Sequence, residues 1–288
     1  MSMSQREKDI TEIINKFCQS QDISEIGYDY AEYERVFAFT NENLFELYYK
    51  LMKDRYKKAL TVLASGDHVY NLICHGVNHI DTFDCNRITE YYALGIKKTA
   101  LEILDFEEFC QVFNQYNPSI EKYIIDALPE KYKVFWQQFL EARKEVIETP
   151  SIFDITRGKN SNDAETYNYY FHKKSFYTLK SQLKEAEITF TCADIKEIPP
   201  NFSKYDLIEL STILNYSSEI LGMTISEAVD LIERFYCNNL NELGELVYGY
   251  KYIFSKELDN IHKNIKFGRK LTREVNGGIA MCIQKGSD

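Results

Sequence analysis

The chain carries no Cys-x-x-Cys pair, no apolar run of eighteen residues and no dense block of Lys or Arg. Its seven cysteines, at 18, 74, 85, 110, 192, 237 and 282, are scattered, which points to reduced thiols filling core space in a cytoplasmic protein rather than to a disulfide framework. Without a long apolar run no membrane-spanning helix is expected, and the opening MSMSQREKDITEIINKF lacks the apolar stretch of a signal peptide. The formal charge of −10, from 34 basic and 44 acidic residues, argues against nucleic acid and against a stable hold on anionic membranes. A local accumulation of basic residues from Lys263 to Arg273 reads as a solvated strand edge. No G-x-x-x-x-G-K-[S/T] phosphate loop occurs. His75 and His79 stand four apart, but a strand beginning at His79 would keep them off a shared helix face, so no metal site is expected.

What is present is concentrated in ALTVLASGDHVYNL, residues 59–72, and HIDTFDCN, residues 79–86. Ala59 to Leu63 is an apolar run suited to a strand buried on both faces, and Ser65-Gly66-Asp67 permits a sharp turn with exposed backbone amides. A short helix and a second strand ending in Asp84 follow, and a carboxylate there can accept hydrogen bonds from both hydroxyls of a ribose. A dinucleotide fingerprint needs three glycines to bring a pyrophosphate close, whereas this loop offers one. The pattern therefore favours a nucleoside ligand without a pyrophosphate, a description that S-adenosylmethionine (AdoMet) fits.

Strand and helix alternate from 59 to 104 and again from 187, the signature of a parallel sheet with crossover helices. Further strands are expected in EITFTCADI (187–195), YDLIELSTIL (205–214), ELVYGYKYIF, KLTREV and GIAMCIQ, with Asn276-Gly277-Gly278 turning the last two into an antiparallel hairpin. Helical periodicity appears at Ile10, Ile13, Ile14 and Phe17, in Leu44 to Met52, and from Ser226 to Asn239, where Thr224-Ile225-Ser226-Glu227 forms a capping-box pattern. Tyrosines crowd the stretch from Tyr28 to Phe39. Residues 1–54 read as an N-terminal helical segment packing on the core. Residues 55–104 and 186–288 read as a Rossmann-like α/β domain, and 105–185 as a helical insertion or cap, with pieces at Ile120 to Leu128 and Tyr132 to Ile147.

The run LTVLASGDHVYNLICHGVNHIDTFDCNRITEYYALGIKKTALEILDFEEFCQVF (60–113) resembles the family of AdoMet-dependent enzymes that includes the AdoMet:diacylglycerol 3-amino-3-carboxypropyltransferase of betaine-lipid synthesis. The likeness lies in the SGD loop, the FD-x-N acid strand, a lysine-bearing helix and the aromatic-acidic segment after it. VFAFTNENLFELYYKLM (36–52) is similar to the family's S/T-N-E entry, and YDLIELSTILNY (205–216) to its fourth-strand motif. The resemblance covers the blocks 36–113 and 186–285. It implies a class I AdoMet-dependent methyltransferase-like α/β fold with a mostly parallel seven-stranded sheet, AdoMet as co-substrate, and transfer of the 3-amino-3-carboxypropyl group. Methyl transfer and a non-catalytic nucleoside-binding or scaffold role remain alternatives. A diacylglycerol acceptor fits poorly, since no basic amphipathic helix is evident to approach a membrane, and a small soluble acceptor is preferred.

On this reading Ala64, Ser65, Gly66 and Asp67 meet the methionine portion of AdoMet, or else form an ordinary strand-to-helix turn. Asp84 binds the ribose or caps a helix, and Asn86 assists at the ribose or adenine edge. Asp194 and Ile195 stand where an acid meets the adenine amino group, Asp194 being otherwise a turn acid, and Leu210 and Ser211 border the reacting carbon. The resemblance alone puts Thr40, Asn41 and Glu42 over the methionine amine and carboxylate. A sulfonium is already an activated leaving group, so the protein has mainly to hold the acceptor in line, with His68 or Tyr216 as the base where one is needed. The aromatic cluster of Tyr167, Tyr169, Tyr170, Phe171, His172, Phe176 and Tyr177 either lids the pocket or, as is common for such clusters, packs a core.

Overall fold

The computed structural model describes residues 5–18, 36–51, 56–157, 164–198, 203–216, 222–251 and 256–286. These form two compact units, one of residues 41–63, 67–84 and 163–288, the other of residues 1–40, 64–66 and 85–162. The unit boundaries near 41, 85 and 163 differ from the 55, 105 and 185 expected from strand–helix alternation. Alternation marks where a chain changes element type, whereas compactness depends on which segments touch.

The first unit is built on a seven-stranded sheet. Its strands are β1 (Lys58–Val62), β2 (His79–Asp84), β3 (Glu187–Cys192), β4 (Tyr205–Glu209), β5 (Leu240–Lys251), β6 (Arg269–Val275) and β7 (Gly278–Gln284), in the spatial order β3-β2-β1-β4-β5-β7-β6. The first five run parallel, and β7 lies antiparallel between β5 and β6. That order, with its reversed β7, is the class I AdoMet-dependent methyltransferase-like α/β topology expected above. The apolar run of β1 has its physical reason here, because Ala59, Leu60, Thr61 and Val62 are all buried in a strand flanked on both sides. Gly277, at φ +91°, makes the expected hairpin turn between β6 and β7. β6 is the edge strand and its residues are mostly exposed or half-buried; the basic stretch expected to be a strand edge instead begins in the helix Lys256–Asn264 and enters β6 only at Arg269.

The helix Ile225–Asn239 begins at Thr224 with the expected capping box, Thr224 and Glu227 each accepting from the other's backbone N–H. Ala228, Leu231, Ile232 and Phe235 are its buried face, and the three larger side chains contribute roughly 1.5–3 kcal/mol each. The helices Leu44–Leu51 and Asp67–Cys74 belong to the same unit. So does the aromatic cluster, of which Tyr170, Phe171 and Phe176 are buried, Tyr170 stacking on Phe171 and the half-buried Tyr169 on Phe45, while His172 and Tyr177 are exposed.

The second unit is helical, with Gln5–Cys18, a π-helical turn Glu90–Lys97 running into Lys98–Ile103, and helices Phe106–Asn114, Pro118–Ala127 and Glu130–Lys144. Phe135, Trp136 and Phe139 form the buried face of the last of these, and Trp136 donates to the Tyr91 carbonyl at 3.1 Å. Lys97 is fully buried, donates to the Ala38 carbonyl at 2.7 Å and sits 4.3 Å from the Phe39 ring centroid, so its charge is held by a carbonyl dipole and an aromatic face. Residues 28–35 of the tyrosine-rich stretch lie outside the described residues; Val36–Phe37 form a short parallel bridge with Thr156–Arg157. Among the described residues no helix is long and apolar enough to cross a membrane.

Candidate functional site

In an open parallel sheet the chain changes direction where the strand order reverses, and the crevice beyond the strands' carboxyl ends at that point is where ligands bind. Here the reversal falls between β1 and β4. Thr61 on β1 is level with Glu209, the last residue of β4. Glu209 is fully buried at the strand's carboxyl end, in a central position that allows an acid only if it is paired.

The pairing comes from three directions. Glu209 Oε2 accepts from the Thr61 hydroxyl at 2.9 Å, and Oε1 accepts from the backbone N–H of Ser211 at 2.7 Å. His68, second residue of the helix that follows β1, brings Nδ1 to 2.8 Å from Glu209 Oε2, with the Tyr48 hydroxyl 3.0 Å from the same nitrogen. On the other side of the imidazole, Nε2 lies 3.6 Å from Glu42 Oε2, while Glu42 Oε1 accepts from the Ser211 hydroxyl. Glu42, His68 and Glu209 are at most 2% exposed. Ser211 reaches both carboxylates because its backbone takes φ +51°, a left-handed conformation that costs a non-glycine residue about 1 kcal/mol or more.

Burial pushes the Glu42 carboxyl up to about 7, with Glu209 adding to the rise and His68 and Ser211 opposing it. For His68 burial acts downward, but the carboxylates of Glu209 and Glu42 outweigh it and raise the imidazole to about 9. Burial and the same two carboxylates hold the Tyr48 phenol protonated. The switch point thus carries a buried imidazole wedged between two acids.

The structure brings His68 and Ser211 of the expected site into one hydrogen-bonded cluster with Glu42. Glu209 was not anticipated, although an acid inside the apolar YDLIEL run was a visible signal. Asp67 begins the helix after β1, is fully buried, and accepts from the Tyr170 hydroxyl. Asp84 closes β2 half-buried, its carbonyl accepting from Ala193 at 3.0 Å. Asp194 caps the short turn Ile195–Glu197 by accepting from the Lys196 N–H, so its turn role is real; Ile195 is buried. Leu210 is fully buried. The turn itself has Ala64 at φ +42° and Gly66 at φ +83°, with Ser65 buried. Asn86 caps the following turn through the Ile88 N–H at 3.0 Å, and Thr40 and Asn41 are half-buried and exposed. Tyr216 ends the turn Ile213–Tyr216, and its side chain lies outside what is described. His75 follows the helix Asp67–Cys74, whereas His79 opens β2 and pairs with Glu187 at 2.9 Å, so the two histidines occupy different elements.

Two surface concavities among the described residues lie elsewhere. One is lined by Tyr49, Lys50 and Arg273, and another, of about 820 Å³, by Tyr236, Lys266, Phe267 and Arg269. Neither includes a residue of the buried cluster or of the expected binding set.

No family model matches the chain, and no curated protein does. Among solved structures it is distantly similar to the N-methyltransferase NodS from Bradyrhizobium japonicum WM9, with TM-score 0.39 and 8% identity over 85% of this chain and 93% of that one. It is also similar to a ribosomal protein L11 methylase from Lactobacillus delbrueckii subsp. bulgaricus, with TM-score 0.36 and 13% identity over 85% and 78% of the two chains. A third is a SAM-dependent methyltransferase from Methanosarcina mazei, with TM-score 0.37 and 10% identity over 83% and 97%. The fold assignment rests on strand order and direction rather than on these likenesses.

Proposed function

We propose that the chain is an AdoMet-dependent transferase that moves the 3-amino-3-carboxypropyl group to a small soluble acceptor. The observation that carries the reading is the sheet: a β3-β2-β1-β4-β5-β7-β6 order whose switch point lies between β1 and β4, with a one-glycine turn after β1 and Asp84 closing β2. In this assignment the turn Ala64–Gly66 offers backbone amides to the methionine portion, and Asp84 accepts from the ribose hydroxyls. Asn86, Asp194 and Ile195 serve the adenosine, and Thr40, Asn41, Leu210 and Ser211 the reacting end.

The sulfonium leaves without help, so the protein's contribution is to place the acceptor's lone pair in line with the carbon attacked and to shield the cation from water. For aminocarboxypropyl transfer the nucleophile attacks the methionine γ-carbon and methylthioadenosine departs. His68 is enclosed between Glu42 and Glu209, an arrangement suited to fixing the switch point rather than to meeting an acceptor directly. Tyr216 is then the remaining expected base. The choice of group transferred rests on the resemblance of 36–113 and 205–216, since the same sheet edge accommodates methyl transfer.

Incubation with AdoMet labelled in the methionine chain, together with a panel of small amines and alcohols, tests this. Methylthioadenosine is the expected product. S-adenosylhomocysteine would transfer the assignment to methyl transfer, and neither product combined with AdoMet binding would leave a nucleoside-binding protein.

A further inference from the structure

The buried cluster at the switch point has a feature that AdoMet binding does not use. Two carboxylates and one imidazole are enclosed together at no more than 2% exposure. Without an ion, a proton on the imidazole balances the enclosed carboxylates; a cation bound at Nε2 takes that proton's place and supplies the compensation that buried charge requires. The geometry is asymmetric. His68 Nδ1 is anchored on Glu209 at 2.8 Å, whereas Nε2 has no hydrogen-bond partner and faces Glu42 Oε2 across 3.6 Å. That gap is too long for a hydrogen bond. It is close to the spacing of two donors on one ion, since nitrogen and oxygen ligands each about 2.1 Å from a tetrahedral metal stand about 3.4 Å apart.

We propose that His68 Nε2 and Glu42 Oε2 bind a divalent first-row transition metal ion, with Glu209 holding the imidazole from Nδ1. Metal-bound histidines typically donate their second ring N–H to a carboxylate, which fixes the tautomer and the ring plane. Glu209 fills that role and is itself fixed by Thr61 and the Ser211 backbone, while the Ser211 hydroxyl holds the other oxygen of Glu42. The donor atoms of all three residues lie within 4.8 Å of one another. One imidazole nitrogen and one carboxylate oxygen suit Zn²⁺, Mn²⁺ or Fe²⁺, and the dication balances the two carboxylates. Because the site is enclosed, the ion enters while the unit folds. The transferase reading gives His68 and Glu42 no step, and shares only Ser211 with this proposal.

The test refolds the full chain from denaturant with Zn²⁺, Mn²⁺ or Fe²⁺ alone, or with a chelator, and measures bound metal by mass spectrometry after desalting. The expected result is about one equivalent of one of these ions, and a thermal midpoint several degrees above that of the chelator-refolded protein. X-ray absorption on the loaded wild type should show imidazole nitrogen and oxygen donors without sulfur, which keeps the test meaningful if the variants Glu42→Gln and His68→Gln fail to fold. Retention of less than about a tenth of an equivalent of every ion would overturn the proposal, as would sulfur ligation or full retention by both folded variants. Calorimetry of AdoMet on the chelator-refolded protein separates this outcome from failure of the transferase assignment.

Discussion

Replacing Glu209 by glutamine removes one buried charge while keeping nearly the same volume, so it isolates the electrostatic part of the switch-point cluster. The wild-type carboxylate receives the Thr61 hydroxyl, the Ser211 N–H and His68 Nδ1 at 2.9, 2.7 and 2.8 Å. A glutamine retains one accepting oxygen and turns an NH₂ toward at least one of those donors. Breaking a buried pair by neutralising one partner costs about 3–5 kcal/mol. At about 2.1 cal/mol/K per residue the 288-residue chain unfolds with an entropy near 0.6 kcal/mol/K, so the thermal midpoint should fall by roughly 5–8 °C. Thr61→Val, which removes one donor and leaves the charge paired, should cost less. Differential scanning calorimetry of both variants checks this. A Glu209→Gln midpoint within about 2 °C of wild type, or a larger loss in Thr61→Val, would refute the reasoning.

Another buried acid, Glu245 on β5, is fully enclosed and takes two hydrogen bonds from Arg273 at 2.9 and 2.8 Å. Arg273→Met should therefore cost about 3–5 kcal/mol in urea unfolding, and Arg273→Met combined with Glu245→Leu should recover most of it; a double variant as unstable as the single one would contradict this. Asp206 is raised by burial, but hydrogen bonds from the Lys57 backbone, the Asn241 side chain and the Lys58 backbone outweigh that and hold it below its ordinary 3.8. A carboxyl depressed in the folded state stabilises above its unfolded value and loses that contribution as pH falls through the folded one. The urea midpoint of wild type should thus exceed that of Asp206→Asn at neutral pH by a margin that shrinks in acid, and a margin that widens would reverse the assignment.

The sheet was legible because its physics is local. A parallel strand buried on both faces must read as an apolar run, Asn276-Gly277 demands a turn with positive φ, and Thr224 with Glu227 caps a helix within one turn of chain. Strand order is set by crossovers between distant segments and cannot be read from local spacing. The buried cluster was only partly readable. His68, Ser211 and Glu42 stand in recognisable motifs, but what joins them is Glu209, a single acid in an apolar strand, and contacts between segments far apart in sequence. Pairings of that kind are made by tertiary contact and leave no periodic trace.

Calorimetric titration of AdoMet into wild type and Asp84→Ala measures most directly whether the carboxyl edge of β1 and β2 holds an adenosyl sulfonium. Loss of a hydrogen bond to a charged group is worth about 1.5–3 kcal/mol, which predicts affinity roughly 10- to 100-fold weaker in a variant that remains folded. Unchanged affinity in folded Asp84→Ala, or no binding heat in wild type, would contradict the central claim.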